Sequence, residues 1–308
     1  MPDIVISEFM DEEAVRQGLS GFDVLYDPGL VDQPARLIGL VAAARALVVR
    51  NRTQVRGALL DAAGRLRVVG RLGVGLDNID VDACKARKIA VLPASGANDL
   101  SVAEYVICTA MMLLRRAYGA TSSVAEGAWP RSALIGREAF GKVLGLVGFG
   151  AIAQRTAQIA VGLGMRVAAH DPFAPESVFA EQRVERRELS ELFAVADVVS
   201  LHVPLTADTR GLINAEALTR MRIGAILINA ARGGVVDEAA VVAALRVGKL
   251  GGAALDVFAQ EPMDSAQGSA FADVPGLILT PHIAGVTEES NTRVSWTTVD
   301  NVKKALST

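Results

Sequence analysis

Cysteine is scarce: the 308 residues hold two, Cys84 and Cys108, in neither a CxxC pair nor a zinc spacing. That excludes a disulfide framework, points to a reducing compartment and leaves no metal assigned. Basic runs are missing as well. The 31 Lys and Arg are dispersed among 34 Asp and Glu for a formal charge of −3, so no stretch supplies the row of phosphate contacts that a nucleic-acid partner requires. Apolar runs all break well before the roughly 20 residues needed to cross a bilayer. The first thirteen residues carry Asp3, Glu8, Asp11, Glu12 and Glu13 without Lys or Arg, the reverse of a secretory leader. A cytoplasmic protein with no membrane partner is expected. Hydrophobic residues make up 51% and charged residues 21%, which excludes disorder, and the length suits about two domains.

What the chain does have is alternation. Short β-rich runs at 4–7, 23–26, 46–50, 67–71 and 89–92 are separated by helical patterns such as 12–18 and 78–87. Such alternation implies a parallel sheet covered by helices on both faces, a first doubly wound domain. A long helix is predicted over 102–118, with Ser101 as N-cap and Glu104 as its capping-box partner. It is apolar around most of its circumference. It must therefore be buried, as a core helix or as a connector that also meets a second subunit. After a polar loop at 121–137 the alternation resumes, with strands at 142–147, 165–170, 197–202, 225–229, 252–257 and 277–281, and a final helix over 288–306. Six strands suit a dinucleotide-binding sheet, and the last helix can cross back to the first domain.

The sharpest motif is Gly145-Leu-Val-Gly148-Phe-Gly150-Ala-Ile-Ala153, between an apolar strand and a helical pattern. Gly148 permits a tight turn, Gly150 lets backbone approach a pyrophosphate, and Ala153 is small enough for close helix–strand packing. The amides of Ala151 and Ile152 would face the anion at the helix N-terminus. About twenty residues on, Asp171 ends the next strand, where a carboxylate accepts the ribose hydroxyls of NAD and repels the 2′-phosphate of NADP. NAD is the expected cofactor.

All three histidines, His170, His202 and His282, fall at carboxyl ends of predicted strands, where ligands of open α/β sheets bind. His170 and His202 read as walls of the nucleotide site. His282 has different company: Arg232, on the loop after the 225–229 strand, offers a planar fork for a carboxylate, and Glu261 can fix the imidazole tautomer. Arg, Glu and His on adjacent loops make an anion clamp with a tuned acid/base.

Across nearly its whole length the chain resembles the NAD-dependent D-2-hydroxyacid dehydrogenases, in their phosphoglycerate dehydrogenase-like branch. The resemblance rests on Gly73-Val-Gly-Leu-Asp-Asn-Ile-Asp80, Ser101-Val-Ala-Glu104, the glycine loop with Asp171, Leu227-Ile-Asn-Ala-Ala-Arg-Gly-Gly234, Leu255-Asp-Val-Phe with Glu261-Pro262, and Thr280-Pro-His-Ile-Ala-Gly285. It implies an α/β fold of two doubly wound, Rossmann-like domains with a cleft between them. The substrate-binding domain would comprise 1–99 plus 286–308 and the NAD-binding domain 100–285. It implies His282 as general acid/base, Glu261 as its partner and Arg232 as the group that orients substrate. Asp256 would meet the nicotinamide carboxamide, Val203, Ala230 and Gly285 would line the cofactor, and the amides of Val74 and Gly75 would hold the substrate carboxylate as an anion nest. A homodimer is expected by the same resemblance.

The substrate would be a small 2-hydroxy acid. The run Val48-Val-Arg50-Asn51-Arg52-Thr53 points two arginines and an amide to the cleft mouth, where a distal phosphate or sulfonate would suit them. With the opening Ile4-Val-Ile-Ser-Glu-Phe-Met-Asp, it is similar to sulfolactate-oxidising members of the branch. Sulfolactate and 3-phosphoglycerate rank together, ahead of glyoxylate or hydroxypyruvate. The sequence ends after the last helix, without the C-terminal domains through which serine regulates many phosphoglycerate dehydrogenases, so such feedback is not expected. The contrasting class is an NAD(H)-sensing binding protein, which would bind NADH without turnover. Formate dehydrogenases share the fold but carry Gln where Glu261 stands.

Overall fold

The structure is a computed structural model and describes residues 2–307. The chain divides into two compact units, Met1–Asn98 with Val286–Thr308, and Asp99–Gly285. Each is built on its own parallel sheet.

In the smaller unit the strands are β1 (Ile4–Ile6), β2 (Val24–Tyr26), β3 (Ala46–Val49), β4 (Val68–Arg71) and β5 (Ala90–Pro93), in the order β2-β1-β3-β4-β5. All neighbours pair in parallel. The runs Ile-Val-Ile and Ala-Leu-Val-Val are continuous rather than alternating because helices cover both faces and bury every side chain. Strand order reverses between β1 and β3, the point at which loops in such sheets part to leave a crevice. Ser7–Glu8 and residues 50–53 leave the sheet there.

The terminal helix Glu288–Ser307 lies on one face of this sheet, its Val294, Val299, Val302 and Leu306 clustered with Ile4, Ile6, Val48 and Val68. Gly70 in β4 sets its approach. A Cβ at that position would stand 2.7 Å from Val302 Cγ2 and 2.9 Å from Thr298 Cγ2.

The larger unit holds β6 (Val143–Val147), β7 (Arg166–His170), β8 (Glu185–Arg186), β9 (Val198–Leu201), β10 (Ala225–Asn229), β11 (Leu250–Leu255) and β12 (Leu277–Leu279), ordered β12-β11-β10-β9-β6-β7-β8. The reversal here falls between β6 and β9. Seven strands stand where the periodicity predicts six. The extra one, β8, is a two-residue polar edge pairing Glu185 with Ala168 and Arg186 with Ala169, too short and too charged to carry a hydrophobic pattern.

The long helix also differs from expectation. It spans Asp99–Arg115, so Ser101 lies inside it and is buried rather than serving as N-cap. It stops before Tyr118 because Arg116 turns left-handed (φ 57) and returns its N–H to Met112 O at 3.0 Å. One face packs Val106, Ile107, Ala110 and Leu113 against Ala153, Ala157 and Ala160 of the Ala151–Gly162 helix. Met111 and Cys108 on its other side stay exposed. Among the described residues no helix is long and apolar enough to cross a membrane, and no cluster of His, Cys, Asp and Glu could hold a metal ion.

The glycine in β4 gives a direct test. Gly70→Ala should destabilise the protein by about 1–3 kcal/mol through overpacking against the terminal helix, read as a lower urea midpoint at unchanged slope. An unchanged midpoint would show that Val302 and Thr298 give way freely.

Candidate active site

At the β6/β9 reversal the chain leaves Val147 through Gly148, whose φ of 88° and N–H bond to His170 O (2.8 Å) form the turn. A Cβ there would lie 2.6 Å from His202 O and 3.0 Å from Val203 Cγ1, so only glycine admits the neighbouring strand end. Phe149 is driven inward to stack on Phe179 at 4.8 Å. Gly150 then caps the Ala151–Gly162 helix with no side chain over its N-terminus and no acid in its first turn. A Cβ at Gly150 would meet no atom within 4 Å, so open space lies above the exposed Ala151 and the half-buried Ile152. A bare helix N-terminus with room above it fits a pyrophosphate.

Asp171 fastens this loop from β7. Its Oδ2 accepts the Phe149 N–H at 2.8 Å and its Oδ1 those of Phe173 (2.9 Å) and Ala174 (3.1 Å). A carboxylate offers about four acceptor positions, so one stays open to a ribose hydroxyl. His170 donates from Nδ1 to Arg187 O at 3.0 Å, and His202 shares a 3.0 Å bond between Nε2 and Ser200 Oγ. Burial pushes the His202 imidazole down to about 4, so it is neutral at physiological pH.

The three candidate catalytic side chains come from the loops after β10, β11 and β12. Asn229, buried at the end of β10, accepts from Ala231 N (3.1 Å) and donates to Arg232 O (3.0 Å), bracketing the backbone of Ala231 and Arg232. Gly233 follows, and a Cβ on it would fall 1.7 Å from Phe258 O. The Arg232 loop thus lies directly on the segment that leads to Glu261. There Phe258 N donates to Glu261 Oε1 at 2.8 Å, while Glu261 Oε2 meets His282 Nδ1 at 2.7 Å. Burial works to raise the Glu261 carboxyl, but the His282 and Phe258 hydrogen bonds and the charges of His282 and Arg232 outweigh it and hold it below the usual range. An anionic Glu261 keeps a proton on Nδ1, which leaves Nε2 as the exchanging nitrogen.

His282 itself is left-handed (φ 56), a conformation that a non-glycine residue adopts only when its surroundings impose it. The imposing group is Asp256. This carboxylate, 1% exposed, accepts Thr280 Oγ1 (2.6 Å) and Ile283 N (2.8 Å) on Oδ1 and Ala284 N (2.9 Å) on Oδ2. Its own carbonyl takes the His282 N–H at 2.8 Å. Because Thr280 donates to Asp256, its oxygen accepts from Tyr105, 2.6 Å away on the Asp99–Arg115 helix. Burial raises the Tyr105 phenol to about 12, so it remains a donor. Tyr105 and Thr280 are absent from the sequence-based assignment. A lone phenol on an apolar helix was the available signal.

The residues assigned to the smaller unit separate in character. Arg52 is paired with Asp32, and Asn51 is exposed. Arg50 reaches neutral partners, Asn291 Oδ1 at 2.5 Å and the ring of Phe9 at 5.7 Å. Burial pulls its guanidinium below the ordinary value, with the Glu8 charge opposing. In the 73–75 loop, Arg71 Nε donates to Gly75 O at 2.7 Å. Among the described residues the amides of Val74 and Gly75 make no hydrogen bond.

Residues 107–284, more than half the chain, match the model of the D-isomer specific 2-hydroxyacid dehydrogenase NAD-binding domain. The chain belongs to that family. It is similar at 57% identity, over 99% of both chains, to the (S)-sulfolactate dehydrogenase of Chromohalobacter salexigens. It is 40% identical to the hydroxypyruvate reductase of Thermotoga maritima, covering 88% of this chain and 87% of that one. The D-3-phosphoglycerate dehydrogenase of Synechocystis is 36% identical, and there the chain spans 54% of the relative's length. Among solved structures, the D-lactate dehydrogenase of Aquifex aeolicus complexed with NAD and lactic acid superposes with a TM-score of 0.86 at 28% identity, covering 99% of this chain and 95% of that one. The dehydrogenase is NAD-dependent, works on 2-hydroxy acids, and carries its glycine loop and the loops of Arg232, Glu261 and His282 on one parallel sheet.

Two outcomes are expected. Gly233→Ala should lower kcat by about 100-fold or more, because a displacement near 1 Å between the Arg232 and Glu261 loops is enough for that loss. Rates equal to wild type would show that the loops have room. For Glu261, the folded carboxyl titrates below its ordinary value of 4.5, so the unfolded chain binds more protons between the two values. The stability difference between wild type and Glu261→Gln should be constant above that pH and shrink as pH falls through the lowered value. Urea melts across a pH series that showed the difference growing instead would contradict the assignment.

Proposed function

We propose that the dehydrogenase oxidises a three-carbon 2-hydroxy acid bearing a distal sulfonate, with (S)-sulfolactate its substrate. The observation that carries this reading is Arg50, the guanidinium of the 50–53 loop that meets only neutral partners while Arg52 is neutralised by Asp32. A sulfonate brings one negative charge and matches one such cation. A phosphate at neutral pH brings about −1.5 to −2, more than Arg50 alone would balance, which ranks 3-phosphoglycerate second. The relative of 57% identity supports the same choice. So does stereochemistry: sulfur outranks a carboxylate carbon in the priority rules, so (S)-sulfolactate has the spatial arrangement of a D-2-hydroxy acid.

Bound NAD supplies the hydride acceptor. The chain supplies the rest: His282 Nε2 takes the proton of the C2 hydroxyl, and Glu261 holds Nδ1–H and stabilises the imidazolium that results. Arg232 orients the substrate carboxylate and favours negative charge on the reacting oxygen. The amides of Val74 and Gly75 form a second carboxylate cradle. Gly148, Gly150, Ala151, Ile152 and Asp171 would hold the pyrophosphate and ribose, with Val203, Ala230 and Gly285 along the remaining cofactor. Asp256 would offer its remaining lone pair to the carboxamide. The enzyme acts in the cytoplasm as a homodimer, a reading supported by the exposed apolar side chains Met111, Trp129, Ile135 and Phe140.

Purified enzyme with NAD should reduce it rapidly with sulfolactate, more slowly with 3-phosphoglycerate and poorly with lactate or glycerate. His282→Ala should nearly abolish all turnover, and Arg50→Ala should weaken sulfolactate selectively. NADH binding without reaction of any acid in either direction would replace the catalytic reading with that of a sensor.

A further inference from the structure

The loop that carries Arg50 is held by a group to which no function has been attached. Glu8 follows β1 at the strand-order reversal of the smaller sheet and is 5% exposed. Its carboxylate touches no guanidinium. Instead Oε1 accepts the amides of Arg50 and Thr53, both at 2.9 Å, and Oε2 accepts that of Arg52 at 3.1 Å. Asn78, equally buried, closes the same loop from the carbonyl side, donating from Nδ2 to Arg50 O (3.1 Å) and Thr53 O (2.7 Å). Ser7 Oγ adds a 2.9 Å bond to Thr53 Oγ1. Every amide of residues 50–53 except that of Asn51 thus ends on Glu8, and both end carbonyls on Asn78.

We infer that Glu8 is a positioning residue for substrate selection: by gathering the amides of Arg50, Arg52 and Thr53 it fixes the loop so that the Arg50 guanidinium is presented, without a carboxylate of its own, to the anionic tail of the substrate. Three converging amides favour a full carboxylate over a neutral isostere, since each charge-assisted bond is roughly twice as strong as a neutral one. The same negative charge sits close to Arg50 without occupying its donors. A surface ion pair such as Arg52 with Asp32 cannot serve in this way, because its carboxylate fills the fork. The inference rests on the reading that Arg50 receives a distal anion.

The test runs the reaction in reduction, with NADH and either 3-sulfopyruvate, which has the tail, or glyoxylate, which lacks it. Glu8→Gln keeps the shape but sets an NH₂ against an amide donor. It should raise KM for 3-sulfopyruvate by at least about tenfold, the loss expected of one charge-assisted contact, while kcat and KM for glyoxylate change far less. Glu8→Asp, which retains the charge, should recover part of the preference. Asn78→Ala removes the other side of the clamp and should shift the ratio in the same direction, so the outcome does not hang on the folding of one variant. A loss equal for both acids, or none for either, would make Glu8 a structural residue only. The two readings separate through Arg50→Ala: if that change is also silent on 3-sulfopyruvate, the distal-anion site itself is wrong. If it is selective and Glu8→Gln is not, only the positioning role falls.

Discussion

The buried carboxylate of Asp256 is the constraint on which the loops of Arg232, Glu261 and His282 depend. It is an anion almost wholly withdrawn from water, a state that is tolerable only when donors surround it. Those donors are the Thr280 hydroxyl and the amides of Ile283 and Ala284, which is to say the two flanks of His282. Satisfying the carboxylate and setting the left-handed backbone of His282 are therefore one event. From that backbone the imidazole is directed at Glu261, which in turn is fixed by Phe258 N, which adjoins the carbonyl that Gly233 abuts. Charge burial at one aspartate propagates through three loops.

The same device recurs. Asp171 gathers the Phe149 amide of the glycine loop, and Glu8 gathers amides of the 50–53 loop. In each case an acid just past the carboxyl end of a parallel strand collects backbone donors from a loop that follows a strand in the same sheet. Parallel sheets make this economical, since strand ends of a doubly wound unit converge along one edge and the loops there have amides that no ladder satisfies. The acids at these strand ends are thus acids that touch backbone. Their charge shapes the loop and leaves the donors of Arg50 without a carboxylate.

How far the sequence discloses this follows from the range of each interaction. Strand runs such as Ile4–Ile6 and Ala225–Asn229, and the glycine turn with its helix, are written in contiguous residues, so periodicity and motif spacing disclose them. The strand Glu185–Arg186 has no such imprint, because two polar edge residues join a sheet for backbone reasons alone. The helix start at Asp99 was obscured by Ser101, whose type favours a cap but whose position is buried. The Tyr105–Thr280–Asp256 chain joins residues separated by 175 and 24 positions. Nothing local at Tyr105 states that its hydroxyl ends on the loop of His282. Glu8 was visible as an acid near the N-terminus, yet its partners lie 42 to 45 positions away and only the sheet brings them together.

The groups proposed for chemistry and for selection are held by separate networks. Asn229, Asp256, Thr280 and Tyr105 lie in one compact unit and set Arg232, Glu261 and His282, the candidate groups for the chemistry common to every 2-hydroxy acid. Glu8, Asn78 and Asn291 lie in the other and set Arg50, the group proposed to receive the substrate tail. A change around Arg50 leaves the hydrogen bonds of the first network untouched, so energies at the two places should add rather than couple. That independence is a physical reason why the 50–53 loop of the smaller unit can change residue by residue without disturbing the geometry of Arg232, Glu261 and His282 in the larger one.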